Sequence, residues 1–291
     1  MMEFENRLAE YREYLEQYLD KNCFVDQQQP QARLFQAMRY SLLSGGKRLR
    51  PVLLFDFCRM CGGNWQEAIP LAAAVEMVHS YSLIHDDLPC MDNDDYRRGC
   101  LTNHKVFGES TAVLAGDALL TAAFGCIAKA PYPAELRIRA VEVLADCAGE
   151  LGMVGGQVLD MASEERACTE QEIRDIQTRK TGALIRAACL LGVLAGGGSQ
   201  EQLQAASEFA DHLGLAFQIR DDMLDVIGDA QVLGKPTGMD SNKNTFVRLY
   251  GLERCREMVL QTTDLAVRAL DAFPEHSWMA RLAASLTDRL A

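Results

Sequence analysis

Phe217-Gln218-Ile219-Arg220-Asp221-Asp222-Met223-Leu224-Asp225 closes a run from Leu203 to Leu224 in which apolar residues recur at helical spacing. At 3.6 residues per turn, Asp221 and Asp225 fall one turn apart on the same face, so this helix carries a ready-made pair of carboxylates. The same period runs through Leu34 to Leu43, Ile69 to Ile84, Leu136 to Leu151 and Ile173 to Leu194, and alternating strand patterns are absent. The expected fold is therefore all-α. Ala72 to Ile84 and Ala183 to Leu194 are apolar on most sides, which places them at the centre. Gly196-Gly197-Gly198-Ser199 reads as a short turn rather than a linker, and no boundary divides the chain. A single domain over 1–291 is expected, built as a helical bundle around a central cavity.

A second acidic cluster, Asp86-Asp87-Leu88-Pro89-Cys90-Met91-Asp92, follows the apolar segment that ends at Ile84. Carboxylates set in a helix face that would otherwise be buried carry a large desolvation cost unless a cation or hydrogen bonds offset it. The bland alternative is a pair of solvated acidic helix ends. Hard oxygen ligands favour Mg²⁺ or Mn²⁺, which bind through one or two carboxylates plus substrate phosphates. Asp86 and Asp92 would lie on different faces of an ideal helix. Pro89 is expected to break the helix and let the backbone bulge, bringing Asp92 round to Asp86. Asp87 and Asp222 point about 100° away from their neighbours and are assigned to hydrogen bonding, meeting metal through water at most.

Basic residues flank the first cluster: Arg97-Arg98-Gly99 after it and Gly45-Gly46-Lys47-Arg48-Leu49-Arg50-Pro51 before it. Arginine offers a planar fork to phosphate oxygens, lysine a compact charge, and glycine close approach of backbone amides. Gly45-Gly46 also stops the preceding helix. The 291-residue chain has a formal net charge of -12 and is 48% hydrophobic, so it can bury a large core and general nucleic-acid affinity is not expected. Local basic clusters beside carboxylates point instead to a bound polyanion plus metal.

These motifs resemble the trans-isoprenyl diphosphate synthases, and within them the bacterial farnesyl diphosphate synthase group, along nearly the whole chain. The resemblance rests on residues 45 to 51, His79 through Gly99, Gly116-Asp117-Ala118-Leu119-Leu120, Gly155-Gly156-Gln157 through Asp160, Lys180-Thr181-Gly182, Phe217 through Asp222, and Leu233-Gly234-Lys235. It implies an isoprenoid-synthase-type bundle in which the two aspartate motifs face each other across its mouth. An allylic diphosphate would be held by Mg²⁺, about three ions per active site, on Asp86, Asp92, Asp221 and Asp225. Arg97, Lys180 and Lys235 would draw charge onto the departing diphosphate. Isopentenyl diphosphate would sit on Lys47, Arg50, His79 and Arg98, with Gly46 giving close backbone approach. Thr181 and Gln218 would line the allylic side, and Lys243 is a contact of a closed state. His85 and Asp117 stay ambiguous between packing and the site.

Product length in such enzymes follows the depth of the hydrocarbon pocket below the first cluster. Here Tyr81 and Ser82 stand five and four positions before Asp86, and the resemblance, with Tyr at this place and two extra residues between Asp87 and Asp92, implies the C15 product, farnesyl diphosphate, with geranyl and geranylgeranyl diphosphate open. Tyr81 packed only in the core is the alternative. The loop Asp240 to Thr245 is about two residues shorter than the family pattern, a deletion that loops tolerate. A terpene cyclase would not need the second anion site of Lys47, Arg50 and Arg98, and a non-catalytic subunit would be expected to have lost aspartates or diphosphate-binding cations, which this chain keeps. The resemblance implies a homodimer. No leader or membrane-spanning segment is expected, which fits a cytoplasmic protein. The ten cysteines read as scattered core thiols, with Cys58 and Cys61 the one close pair.

Overall fold

The computed structural model describes residues 2–26, 28–164, 166–227 and 244–287. The fold is all-α; among the described residues its only β-structure is a two-residue antiparallel ladder, β1 (Tyr96–Arg97) with β2 (Cys100–Leu101). The chain forms two compact units, 1–55 with 65–141 and 56–64 with 142–291.

The first unit contains α1 (Met2–Asn22), α2 (Ala32–Leu42), the start of α3 (Leu49–Met60), α4 (Ile69–Asp86), the β-ladder, α5 (Asn103–Phe107), α6 (Glu109–Ala128) and the start of α7 (Ala134–Ala148). As its composition predicts, α4 is central, with Leu71 through Val78 all buried. It packs on α6 at Gly116, where an added Cβ would lie 2.1 Å from His85 Nε2. That ring also meets the Val113 carbonyl at 3.1 Å, while Asp117 stays 3.9 Å away and exposed. His85 and Gly116 are thus a helix-packing pair. Tyr11, Tyr14, Phe55 and Trp65 form an edge-packed cluster with centroids 4.8 to 6.4 Å apart.

The second unit contains α8 (Met153–Ser163), α9 (Glu170–Gln177), a π-helical turn (Thr178–Gly182), α10 (Ala183–Ala195), α11 (Gln200–Ile227), α12 (Phe246–Ala269) and α13 (Ser277–Thr287). Thr169 and Glu172 cap α9 reciprocally, satisfying two orphan backbone donors. Periodicity predicts one helix from Ile173 to Leu194; the structure inserts the π-turn instead. Glycines let its neighbours approach. A Cβ on Gly156 of α8 would meet the Lys180 backbone nitrogen at 2.2 Å, and one on Gly214 of α11 would stand 3.1 Å from the Gly182 Cα. The core of α11 and α12 gathers Ile173, Ile219, Met223, Phe246 and Val259. Gly251, at φ 73°, breaks α12 one turn after its start.

Candidate active site

The expected bulge at Pro89 is replaced by a helix end. α4 stops at Asp86, and the chain reverses through tight turns, with Met91 and Asn93 donating to Leu88 and Asn93 in the left-handed region at φ 54°. The Asp92 amide then donates to the Asp86 carbonyl at 2.8 Å. The backbones of Asp86 and Asp92 are brought together, as expected of a break at Pro89, but by a turn rather than a bulged helix. Asp86 is half-buried and Asp92 exposed. Asp87 faces the other way: it is 3% exposed and takes the Arg97 Nε at 2.6 Å, with Nη2 shared between Asp87 and Asp94. Burial pushes the Asp87 carboxyl up, and Arg97 offsets only part of that. Its predicted hydrogen-bonding role is what the geometry displays. Arg97, expected on diphosphate, is engaged through Nε and Nη2 with carboxylates.

On the same unit lies a guanidinium cluster. Burial and the charges of Arg50, Arg98, Arg48 and Arg97 hold half-buried His79 well below the ordinary histidine range, so it is a neutral ring in a positive field. Burial also lowers Arg50 and Arg98; the Glu76 carboxylate offsets part of this, and neighbouring guanidinium groups lower both further. The Arg50 Nε is buried with no hydrogen-bond partner among the described residues. Glu76 is one carboxylate against Arg48, Arg50, Arg97 and Arg98, and the remaining like charge favours a bound anion. Gly46, at φ 121°, lies against Arg98: an added Cβ would be 2.7 Å from its guanidinium carbon. Arg98 donates to the Gly45 carbonyl. Lys47 is exposed, and its carbonyl takes Arg12 Nε at 3.0 Å. Sequence reasoning missed Arg48, which is 3% exposed and bonded to buried Glu76 at 2.6 Å and to the Leu42 carbonyl at 2.9 Å. This pair anchors the loop between Lys47 and Arg50.

Tyr81 is 6% exposed, its phenol pushed up to about 12 by burial and then by the charge of Asp86. The ring is edge-on to His85 at 5.7 Å. Ser82 turns its hydroxyl back to the His79 carbonyl at 2.9 Å, so of the two it is Tyr81 that presents bulk.

In the second unit, Asp221 and Asp225 are half-buried on one face of α11, as predicted, and Asp221 Oδ1 takes Arg220 Nη2 at 2.8 Å. Asp222 turns inward: 6% exposed, it accepts from the Phe246 amide at 3.0 Å and from Gln218 Nε2 at 3.0 Å. A carboxylate can only accept, so Gln218 must turn its amide nitrogen there and its Oε1 to Thr181 Oγ1, 3.3 Å away. Lys180 and Thr181 stand on the π-turn, a departure often found at functional sites. Lys180 Nζ is 2.6 Å from Asp160 Oδ2, a partner whose motif was visible but whose role was not. Lys235 and Lys243 lie outside the described residues.

Among the described residues no group of three or more His, Cys, Asp or Glu side chains could by itself hold a metal. Each aspartate pair offers hard oxygen donors and no thiolate or imidazole. That donor set fits a hexacoordinate Mg²⁺ or Mn²⁺ completed by phosphate and water, and it is poor for a closed protein cage.

A family profile described as Polyprenyl synthetase matches residues 31–269. A farnesyl diphosphate synthase of Geobacillus stearothermophilus is 45% identical over 91% of this chain and 91% of its own. A chloroplastic geranylgeranyl pyrophosphate synthase of Catharanthus roseus is 49% identical over 77% of this chain and 64% of its own. The crystal structure of an apo FPP/GFPP synthase from Zymomonas mobilis matches with TM-score 0.88 at 33% identity, covering 98% of this chain and 99% of that one.

Proposed function

This chain belongs to the polyprenyl synthetase family and is a trans-prenyltransferase; from that premise we propose that it condenses isopentenyl diphosphate with dimethylallyl and then geranyl diphosphate to give farnesyl diphosphate. The observation that carries this reading is the guanidinium cluster around neutral His79. It supports a second diphosphate site, which chain elongation needs and cyclisation does not. Arg50, Arg98, His79 and Lys47, with Gly46 open to close approach, would hold isopentenyl diphosphate there.

The allylic diphosphate is assigned to the aspartate pairs, Asp86 with Asp92 and Asp221 with Asp225, whose oxygens would hold the divalent metal this family uses. We assign Mg²⁺, about three ions per site with substrate bound, and Mn²⁺ as a substitute. When bound, the metal supplies positive charge that neutralises the diphosphate and favours its departure. Lys180 adds a fixed cation for the leaving group, and Arg97 and Lys235 are assigned to the same task. Thr181 and Gln218, oriented by Asp222, turn oxygens toward the developing allylic cation. The double bond of isopentenyl diphosphate attacks that cation, and proton loss completes a product longer by five carbons. Lys243 is assigned to a closed state.

Tyr81 carries the C15 assignment, since its buried phenol one turn before Asp86 would close the pocket at intermediate depth. Geranylgeranyl diphosphate is the second reading, favoured by the 49% identity to a synthase of that name. We take 1–291 as one polyprenyl synthetase domain and the protein as a cytoplasmic homodimer. Dimerisation is supported by exposed apolar residues on α6, Leu114 at 58%, and on α8, Val158 at 61%. Among the described residues α6 is the one helix long and apolar enough to cross a membrane; Asp117 in its middle favours a protein partner.

The test is incubation with Mg²⁺, isopentenyl diphosphate and dimethylallyl diphosphate, followed by mass identification of the dephosphorylated prenyl alcohol. C15 is expected, and Tyr81→Ala should shift the product to C20. A C20 product from the unaltered chain would overturn the Tyr81 assignment, and no product with any allylic starter would overturn the function.

A further inference from the structure

A cavity of about 390 Å³ lies within the second unit, walled by α9, the middle of α11 and α12 on both sides of its break at Gly251. Its size is that of a small-molecule site, and it contains no residue of either aspartate cluster. One wall is apolar, formed by Leu215, Met258 and Leu265. Facing it are polar side chains with no hydrogen-bond partner among the described residues: His212, and Thr262, which is only 8% exposed. An unpartnered hydroxyl and ring on the wall leave polar groups there for a ligand to meet.

The charge of the lining is positive. Glu170, its one carboxylate, is taken up by the Tyr250 hydroxyl and by Arg174 at 2.8 Å, and these bonds hold its carboxyl below the usual range. Arg254 meets Glu257 at 2.7 Å in a pair more than half exposed on both sides, an interaction weak enough to exchange for a ligand. Its planar fork matches a carboxylate.

We infer that this cavity is a binding site for a small amphiphilic monoanion, an aliphatic carboxylate whose head reaches Arg254 and Thr262 and whose chain lies on Leu215, Met258 and Leu265. The site is coupled to the aspartate helix through short links. Arg174 lies 5.6 Å over the Phe246 ring, the Phe246 amide holds Asp222, and Asp222 orients Gln218. A ligand that shifts Arg174 therefore bears on the residue that sets the Gln218 amide. This coupling rests on the proposed prenyltransferase function; the binding does not.

The full chain is titrated with octanoate by calorimetry, with octylammonium as the charge control. Saturable octanoate binding is expected and octylammonium binding is not. Arg254→Glu should weaken octanoate at least about tenfold, the loss of one charged hydrogen bond, and Met258→Trp should block it by filling the cavity. Thr262→Val, nearly isosteric, should weaken binding even if the tryptophan variant does not fold. No saturation, equal binding of octylammonium, or unchanged affinity in Arg254→Glu and Thr262→Val overturns the site. Octanoate should also change kcat of prenyl transfer in the unaltered chain but not in Met258→Trp; binding without any kinetic effect overturns the coupling and leaves the site.

Discussion

The two aspartate segments repeat one pattern, a pair of adjacent carboxylates after an apolar run of sequence, yet they are built by different physics. In the first, Asp86 and Asp92 meet because a turn after α4 is closed by a backbone hydrogen bond of 2.8 Å. In the second, Asp221 and Asp225 meet because a helix repeats every 3.6 residues. The inner carboxylates differ more. Asp87 takes a full charge, Arg97, whereas Asp222 accepts from the Phe246 amide and the Gln218 side-chain amide. The outer aspartates can then serve the ligand while the inner ones fasten each segment to its unit.

The comparison breaks first if the outer aspartates are not equivalent. Asp86→Ala and Asp221→Ala should each lower kcat by about 10³-fold, the scale of losing one group that stabilises transition-state charge. Steady-state kinetics at saturating Mg²⁺ and both substrates decide it. Either variant keeping a tenth of the activity would remove its segment from the site.

The inner pair gives a smaller and asymmetric effect, read in stability. Asp87→Asn leaves the Arg97 guanidinium, 18% exposed, without its main counter-charge and should cost about 3 kcal/mol. Asp222→Asn keeps an acceptor for the Phe246 amide and should cost about 1 kcal/mol. Urea unfolding of both variants measures the difference, and equal losses would mean that the two anchors work alike.

The glycines extend the contrast to smaller effects. A Cβ at Gly46 meets the far end of the Arg98 side chain, whereas one at Gly156 meets the Lys180 backbone at 2.2 Å. A guanidinium can swing aside, and a packed helix cannot. Gly46→Ala should therefore raise KM for isopentenyl diphosphate roughly tenfold, about 1.4 kcal/mol of binding, and its φ of 121°, which an L side chain rarely adopts, adds a loss of stability. Gly156→Ala should lower the unfolding midpoint. A KM unchanged in Gly46→Ala would detach Arg98 from the diphosphate.

What the sequence disclosed follows the same division. Asp221 and Asp225 were legible because helical period alone places them, and α4 was legible as a central helix because it is apolar on most sides. The break at Pro89 and the return of Asp92 to Asp86 were legible too, but the means was not: it needs the left-handed Asn93 and a backbone bond across six residues, neither written in residue type. The π-turn at Thr178–Gly182 was invisible because one extra residue in a helical turn scarcely disturbs an apolar period. Gly156, Gly182 and Gly214 were its only trace. Arg48 with Glu76 and Lys180 with Asp160 are pairings over 28 and 20 residues, and a single chain without its fold carries no record of them. The basic motif showed that cations gather there, not which of them faces inward.

The last test addresses the charged cluster of the first unit. His79 is kept unprotonated in the fold by burial and by the charges of Arg50, Arg98, Arg48 and Arg97. In the unfolded chain it takes a proton near pH 6.5. Below that value and above its own depressed pKa, the unfolded state binds one proton more, so stability is complete above about pH 6.5 and falls with falling pH, by at most about 1.4 kcal/mol per unit. His79→Gln removes this group and should flatten the stability profile between about pH 5 and 6.5 by up to that slope. Inorganic diphosphate, by neutralising the surrounding guanidinium groups, should raise the folded-state pKa and flatten the profile of the unaltered chain in the same direction. A profile identical in His79→Gln, with and without diphosphate, would show that the arginines do not act on this ring, and the case for an anion site around it would fall with them.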